Sequence, residues 1–100
     1  MKNRRSEHIL SEGSDILSCG HFACPGCGGI LALKMTVELL APDCVFVIPA
    51  CCMAVVDGPY PMSALGVPLY HTAFASTAST AAGLVEGLRA QGDTTTVVVA

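Results

Sequence analysis

Charged and aromatic side chains are scarce in this sequence. Of its 100 residues, 52% are hydrophobic, 13% are charged and 5% are aromatic, and tryptophan is absent. A chain this apolar is not a disordered segment. Its five Lys and Arg residues form no basic stripe with aromatic partners, which excludes the usual surface for binding nucleic acid.

Long apolar runs are missing as well. The longest, 45–56, is too short to span a membrane and contains Pro49. The basic first residues are followed by Ser6, Glu7 and His8 in place of the apolar core of a signal peptide. We therefore expect a cytoplasmic protein without a membrane segment.

So few charges leave little polar surface for a small globule. Either partners cover part of the surface or further chain exists. The sequence ends in 94–100, a β-branched run that is typical of a buried strand, whereas domains usually end in polar residues. From this we expect a truncated gene product or a fragment.

The pattern of apolar residues predicts an α/β fold. Residues 1–20 are polar and irregular, which predicts an N-terminal arm. A helical period of apolar residues then runs from Ile30 to Leu40 and stops at Pro42. The apolar run 44–48 predicts a strand that is buried on both faces, as in a parallel sheet.

The second half continues this alternation. It predicts a loop over 49–68, a short extended segment over 69–72, a helix over 75–91 and a strand over 95–100. The order of helix, strand, loop, helix and strand indicates a parallel sheet with flanking helices. Gly83 and Gly87 would let another helix or the sheet approach closely.

Six cysteines are a high count for 100 residues. Without a secretory leader, metal or redox chemistry is a better explanation for them than disulfides. Cys24 and Cys27 are separated by two residues in a glycine-rich turn, where two thiolates can bind one metal centre. Cys51 and Cys52 follow the first strand, the usual position for a site in an α/β sheet.

Several metal or thiol sites are compatible with these cysteines. A zinc ribbon needs a second Cys-x2-Cys or a His pair, and a thioredoxin-like pair needs a strand before it, which 10–23 does not resemble. Cys44, within the strand, is best explained as a core residue.

Iron–sulfur ligation is favoured, and the spacing leaves the type of cluster open. Cys19, Cys24 and Cys27 have the spacing of a two-iron plant ferredoxin, whereas Cys24, Cys27 and Cys52 with a distant fourth thiolate would suit a four-iron cluster.

Other polar side chains have weaker claims to a function. His71 beside an apolar strand is best interpreted as structural, whereas His21 is as compatible with a hydrogen bond near a cluster as with a structural role. Ser76, Thr77, Ser79 and Thr80 could offer hydroxyls to a phosphate. We favour close packing as their role.

Two segments resemble a known family. Residues 20–28, with Cys24 and Cys27, and residues 48–53, with Cys52, are similar to the β subunit of 2-oxoacid:ferredoxin oxidoreductases. Residues 59–61, 68–71 and the helix up to Gly87 are similar too.

This resemblance implies a partial thiamine-diphosphate-binding fold, with residues 21–100 as the N-terminal part of that domain. It implies Cys24, Cys27 and Cys52 as ligands of a [4Fe-4S] cluster. Cys52 would also lie near the thiamine diphosphate, which Gly29 could contact through its backbone. The main Mg²⁺ motif would lie beyond residue 100.

The activity that the resemblance implies is the oxidative decarboxylation of a 2-oxoacid to an acyl-coenzyme A, with electrons passed through the cluster to ferredoxin. The α, γ and δ subunits of the same complex would be partners, and the isolated 100 residues would be inactive. The sequence does not identify the 2-oxoacid. The rival prediction is a zinc-stabilised, cysteine-rich interaction module, and a third is an inactive stub without metal.

The sequence departs from the family in three places. The family's fourth cysteine and its Gly-Asp-Gly motif, which binds Mg²⁺ and diphosphate, are absent. In addition, Ala50 and Cys51 stand where a Thr-Gly pair commonly precedes the third cysteine. Cysteine resists the positive φ angles that glycine accepts, so this substitution raises a question about the backbone at Cys51.

Overall fold

The computed structural model describes residues 16–59 and 61–100. Residues 1–15 of the predicted arm lie outside the described residues, as does Tyr60. The elements are helix α1 (Gly28–Leu40), strand β1 (Cys44–Pro49), helix α2 (Cys52–Val56), strand β2 (Leu69–Thr72), a 3-10 turn (Phe74–Ser76), helix α3 (Thr77–Ala90) and strand β3 (Val97–Val99). Within these ranges, every helix is too short or too polar to cross a membrane.

The three strands form one parallel sheet in the order β2-β1-β3. Phe46 of β1 is in register with Leu69 of β2 and with Val99 of β3, so β1 is the central strand. Parallel neighbours need helical crossovers, and the alternation of helices and strands along the chain supplies them. The prediction of an α/β fold with a parallel sheet is confirmed.

The hydrophobic core lies on one face of β1. Successive side chains of a strand alternate between its two faces, so Cys44, Phe46 and Ile48 share this face. They pack in one cluster with Leu33 and Val37 of α1. The segments next to β2 complete the cluster with Leu17, Ala64, Leu65 and Val67. Helix α3 contacts β1 and β3, and we place it on the opposite face, which carries Val47.

Helix α1 follows the predicted period. Leu33 and Val37, four residues apart, are its buried positions. Its last backbone bond runs from the N–H of Ala41 to the carbonyl of Val37, and Pro42, which has no N–H, then ends it. The predicted helix is confirmed, with its start at Gly28, immediately after Cys27.

The predicted loop over 49–68 is wrong in one respect. Cys52–Val56 forms the short helix α2, which has too few residues for an apolar period to be visible in the sequence. The predicted extended segment at 69–72 is strand β2, as expected.

The last strand is shorter than the predicted 95–100 because a side chain competes for its hydrogen bonds. Oδ1 of Asp93 accepts the backbone N–H groups of Thr95 and Thr96, at 2.9 and 3.1 Å. Those two donors are therefore not available to the sheet, and pairing begins at Val97.

The expectation for Gly83 and Gly87 is not met within the described chain. A Cβ added at either glycine would meet no other atom within 4 Å. This part of α3 borders a groove, lined also by Tyr70, Leu84 and Leu88.

We predict that Val37→Ala lowers the free energy of unfolding by about 2 kcal/mol, because two methyl groups leave a site that is 0% exposed. Leu39→Ala is the matched control on the same helix, since Leu39 is 82% exposed and its loss should cost less than about 0.5 kcal/mol. Urea denaturation of the two variants measures both values. Equal losses at the two positions would contradict the assigned core.

We also predict a pH-dependent contribution from Asp93. Hydrogen bonds from the Thr96 hydroxyl, and then from the backbone N–H groups of Thr95 and Thr96, hold the pKa of this carboxyl well below its usual range. A carboxyl with a lowered folded pKa stabilises the fold above its unfolded pKa, and this stabilisation disappears as the pH falls through the folded pKa. The wild type should therefore exceed Asp93→Asn in stability by a constant margin above about pH 5, and the margin should shrink below about pH 4. Denaturation at a series of pH values measures it, and a margin that stays constant down to about pH 2 would contradict the assignment.

Candidate functional site

The carboxyl-terminal end of β1 is the start of the candidate site. Strand β1 ends at Pro49, and Cys51 and Cys52 follow at the beginning of α2. In open parallel sheets, ligands bind outside the carboxyl ends of the strands, where adjacent connections leave a crevice. We call this region, with Cys24, Cys27, Cys51 and Cys52, the cysteine edge.

A tight turn forms the other half of the cysteine edge. The backbone N–H of Cys27 donates to the carbonyl of Cys24 at 3.1 Å, which closes the turn. Gly26 has a φ of +74°, a conformation that residues with a side chain rarely adopt. Helix α1 starts at Gly28, directly after the turn, so Cys27 lies at the N-terminus of that helix.

Gly29 is the point where the turn and α2 meet. A Cβ atom at Gly29 would lie 3.5 Å from Sγ of Cys27 and 3.7 Å from Sδ of Met53. Because Met53 is the neighbour of Cys52, the structure brings the turn and the first residues of α2 together over this glycine. A cavity of about 250 Å³ borders the same place and is lined by Gly29, Cys51 and Met53 among others.

The segment before the turn is also fixed to α2. The backbone N–H of Phe22 donates to the carbonyl of Val56 at 3.2 Å. The Phe22 ring lies against Gly58, within 3.8 Å of where a Cβ would be. The polypeptide just before Cys24 is therefore tied to the helix that begins with Cys52.

The predicted ligands differ in exposure. Cys24 and Cys52 are exposed, Cys27 is half-buried, and all six cysteines are free thiols. In the ranges 16–59 and 61–100, no three His, Cys, Asp or Glu side chains are grouped closely enough to hold a metal ion. Since each thiolate of a four-iron cluster binds a different iron, such a cluster requires wider spacing than a single ion. Ligation by Cys24, Cys27 and Cys52 stays a prediction.

Cys44 is a core residue, as predicted. It is buried in the cluster that contains Phe46 and Ile48. Burial, and secondarily the charge of Asp43, raise the pKa of the Cys44 thiol. A thiol that stays protonated is a poor metal ligand and a poor nucleophile.

The question about Cys51 has a clear answer. Its φ and ψ angles are −141° and −171°, which is extended backbone that any residue adopts. Cysteine is therefore accommodated without strain at this position. The half-buried Cys51 lines the cavity next to Gly29.

His21 has a local partner. Its Nδ1 accepts the backbone N–H of Ala23 at 3.3 Å, in the segment that leads into Cys24. This bond helps to shape the approach to the turn.

The hydroxyls at the start of α3 serve the backbone. Those of Ser76, Thr77 and Ser79 each donate to a backbone carbonyl three residues earlier. These bonds are local, and close packing, the role that we favour over phosphate binding, stays a prediction.

Sequence reasoning missed the partner of His71. Nε2 of His71 lies 3.0 Å from Oδ2 of Asp57, a buried carboxylate at the end of α2. In the sequence, Asp57 is the one charged residue between Asp43 and Glu86. This isolation is the feature from which a partner for Asp57 could have been predicted. An acidic residue alone in an apolar stretch must find a partner when the stretch is buried.

We predict that the thiols differ sharply in their reaction with iodoacetamide under anaerobic, metal-free conditions. The exposed Cys24 and Cys52 should be alkylated in the native chain, whereas Cys44 should react after unfolding because it is buried and protonated. Peptide mass spectrometry at a series of times measures each site. Labelling of Cys44 at the rate of Cys52 would contradict the fold.

Comparison with known proteins supports the family resemblance that the sequence shows. The chain is 45% identical over 73 residues to the ketoisovalerate oxidoreductase subunit VorB of Pyrococcus horikoshii, which covers 73% of this chain and 24% of that protein. It is 35% identical over 78 residues to the pyruvate synthase subunit PorB of Methanothermobacter marburgensis, with 78% and 27% covered. The PorB of Methanothermobacter thermautotrophicus is 34% identical over 86 residues, with 86% and 30% covered.

The chain thus spans about a quarter of the length of the curated relatives it matches. No protein-family model matches the sequence. The relatives are named as β-type subunits of two enzymes that act on different 2-oxoacids, and the matches extend over most of the chain. The chain therefore belongs to the family of 2-oxoacid:ferredoxin oxidoreductase β subunits.

Proposed function

We propose that the chain takes part in the oxidative decarboxylation of a 2-oxoacid, with a [4Fe-4S] cluster bound by Cys24, Cys27 and Cys52 at the cysteine edge. The observation that carries this proposal is the meeting of the Cys27 turn and the start of α2 over Gly29. Without that contact, the Cys-x2-Cys pair and Cys52 would be unrelated thiols.

The chemistry of the cysteine edge fits such a cluster. Thiolates are the protein ligands of iron–sulfur clusters, and the three cysteines are free. Cys27 is the N-cap residue of helix α1, and its side chain makes no hydrogen bond to the helix. The first backbone N–H groups of the helix therefore keep hydrogen-bonding capacity. These N–H groups and the positive end of the helix dipole would stabilise an anionic cluster beside the turn.

The residues around the thiols have supporting roles. Gly26 gives the turn the backbone conformation that places Cys24 and Cys27 on one loop. Met53 brings an apolar side chain to the cysteine edge, since its Sδ would lie 3.7 Å from a Cβ atom at Gly29. Gly29 has no side chain, so a bound group could approach its backbone directly. A fourth thiolate would come from Cys19, from Cys51 or from outside the described residues.

The wider reaction is proposed by analogy with the relatives. When bound, thiamine diphosphate with Mg²⁺ supplies the carbanion chemistry for decarboxylation, and the cluster takes up the electrons. We place the thiamine next to Cys52 and Gly29. Coenzyme A and ferredoxin are the proposed acceptors of the acyl group and of the electrons, and the other subunits of the complex are the proposed protein partners.

The names of the relatives suggest two substrates. VorB is named for ketoisovalerate and PorB for pyruvate. Either substrate is a 2-oxoacid, and we propose that class for this chain, with the cytoplasm as the location.

We predict that Cys52→Ala abolishes the cluster, whereas Cys44→Ala retains it. Cys52 provides a thiolate at the cysteine edge, whereas Cys44 is a protonated core thiol whose loss should destabilise the fold by about 1 kcal/mol. Iron and acid-labile sulfide are measured in both anaerobically purified variants, together with the visible absorption of the cluster.

Three outcomes would overturn the proposal. Equal loss of iron in both variants would contradict the assignment of Cys52. One zinc ion per chain and no sulfide in the wild type would favour the zinc-stabilised interaction module. A wild type without metal would favour the inactive stub.

A further inference from the structure

Asp57 and His71 form a carboxylate–imidazole pair with unequal burial. Nε2 of His71 lies 3.0 Å from Oδ2 of Asp57, whose side chain is 4% exposed, whereas that of His71 is 48% exposed. An ionised carboxylate has no hydrogen to donate, so Nε2 of a neutral His71 must carry the proton. Nδ1 of His71 is then a hydrogen-bond acceptor on a half-exposed ring.

Only one oxygen of this buried carboxylate is paired within the described residues. Oδ1 of Asp57 is buried, and within the described residues it has no hydrogen-bond partner. A buried charged oxygen without a hydrogen bond destabilises the folded state. Native proteins keep such costly groups mostly where a function needs them.

A hollow of about 280 Å³ lies beside the pair. Asp57 and His71 line it, together with the hydroxyl-bearing Ser63. The other walls are mostly apolar and include Met62, Val67 and Leu69. Apolar walls with a few convergent polar groups are characteristic of sites for small molecules.

The polar groups of the hollow differ in their availability to a ligand. The Ser63 hydroxyl donates to the carbonyl of Leu65 and accepts the N–H of the same residue. Among the polar side chains that line the hollow, His71 therefore keeps an acceptor atom, Nδ1, that no hydrogen bond within the described residues uses. An anionic ligand would be repelled by the nearby Asp57, which favours a neutral hydrogen-bond donor.

We propose that Asp57, His71 and this hollow form a second binding site, for a small and largely apolar molecule with one acidic O–H or S–H group. The apolar body lies against Met62, Val67 and Leu69, and the O–H or S–H donates to Nδ1 of His71. Asp57 fixes the imidazole in the tautomer that accepts this bond, as carboxylates do in catalytic triads and beside metal-bound histidines. The site uses no cysteine and does not depend on the proposed function.

The test compares phenol with anisole on the full 100-residue chain. Both probes have the same apolar ring, and phenol alone has an O–H donor. At about pH 8, NMR should show His71 as the Nε2–H tautomer. Phenol should shift the Nδ1 resonance of His71 and the methyl of Met62, and it should bind about three- to tenfold more tightly than anisole, the gain from one hydrogen bond.

Two variants separate binding from a structural role. His71→Lys keeps N–H donors for Asp57 and has no acceptor, so the fold should persist while the preference for phenol disappears. Tyr70→Phe, the neighbouring position on β2, should leave both probes unaffected, because Tyr70 borders the groove along α3 and not this hollow.

Three results would overturn the proposal. The first is equal or unsaturable binding of phenol and anisole to the wild type. The second is an Nδ1–H tautomer of His71, and the third is an unchanged preference for phenol in His71→Lys. A chain that fails to bind iron leaves each of these readouts intact, so the two proposals fail separately.

Discussion

Strand β1 must be buried on both faces and along both edges, and the rest of the structure is arranged around that requirement. It pairs with β2 on one side and with β3 on the other. One of its faces packs against Leu33 and Val37 of α1, and we place α3 on the other. With β1 central, its carboxyl end becomes the place where α1 begins and α2 follows, and that places the cysteines at one edge.

Two glycines shape the backbone of the cysteine edge. Gly26 permits the turn, and Gly29 is the residue at which the turn and α2 meet. A larger residue at Gly29 would be at ordinary contact distance from both sulfurs and would fill the space between the turn and α2. The turn and the first residues of α2 therefore approach each other at a position without a side chain. The pair of Asp57 and His71 differs from the cysteine edge, because it is built on a buried carboxylate beside a hollow. Burying that carboxylate destabilises the folded state.

Much of the fold was predictable because it rests on local periodicity. The helix up to Leu40, the strand from Cys44 and the extended segment from Leu69 were all recognised from apolar spacing. The errors have local causes too. Helix α2 is too short to show a period, and Asp93 takes the N–H groups of Thr95 and Thr96 that the predicted strand would have used. The small residues of α3 were expected to meet another element, yet Gly83 and Gly87 have none beside them within the described chain.

The sequence by itself determined the α/β class, the core role of Cys44 and the resemblance that names Cys24, Cys27 and Cys52. These follow from spacing along the chain, which is visible without coordinates. Tertiary structure alone decided that Gly29 lies between Cys27 and Met53, that Cys51 has extended backbone and that His71 is paired with Asp57. The contact at Gly29 and the pair of Asp57 and His71 join residues far apart in sequence, so no local pattern encodes them. The backbone angles of Cys51 depend on how the chain passes from β1 into α2.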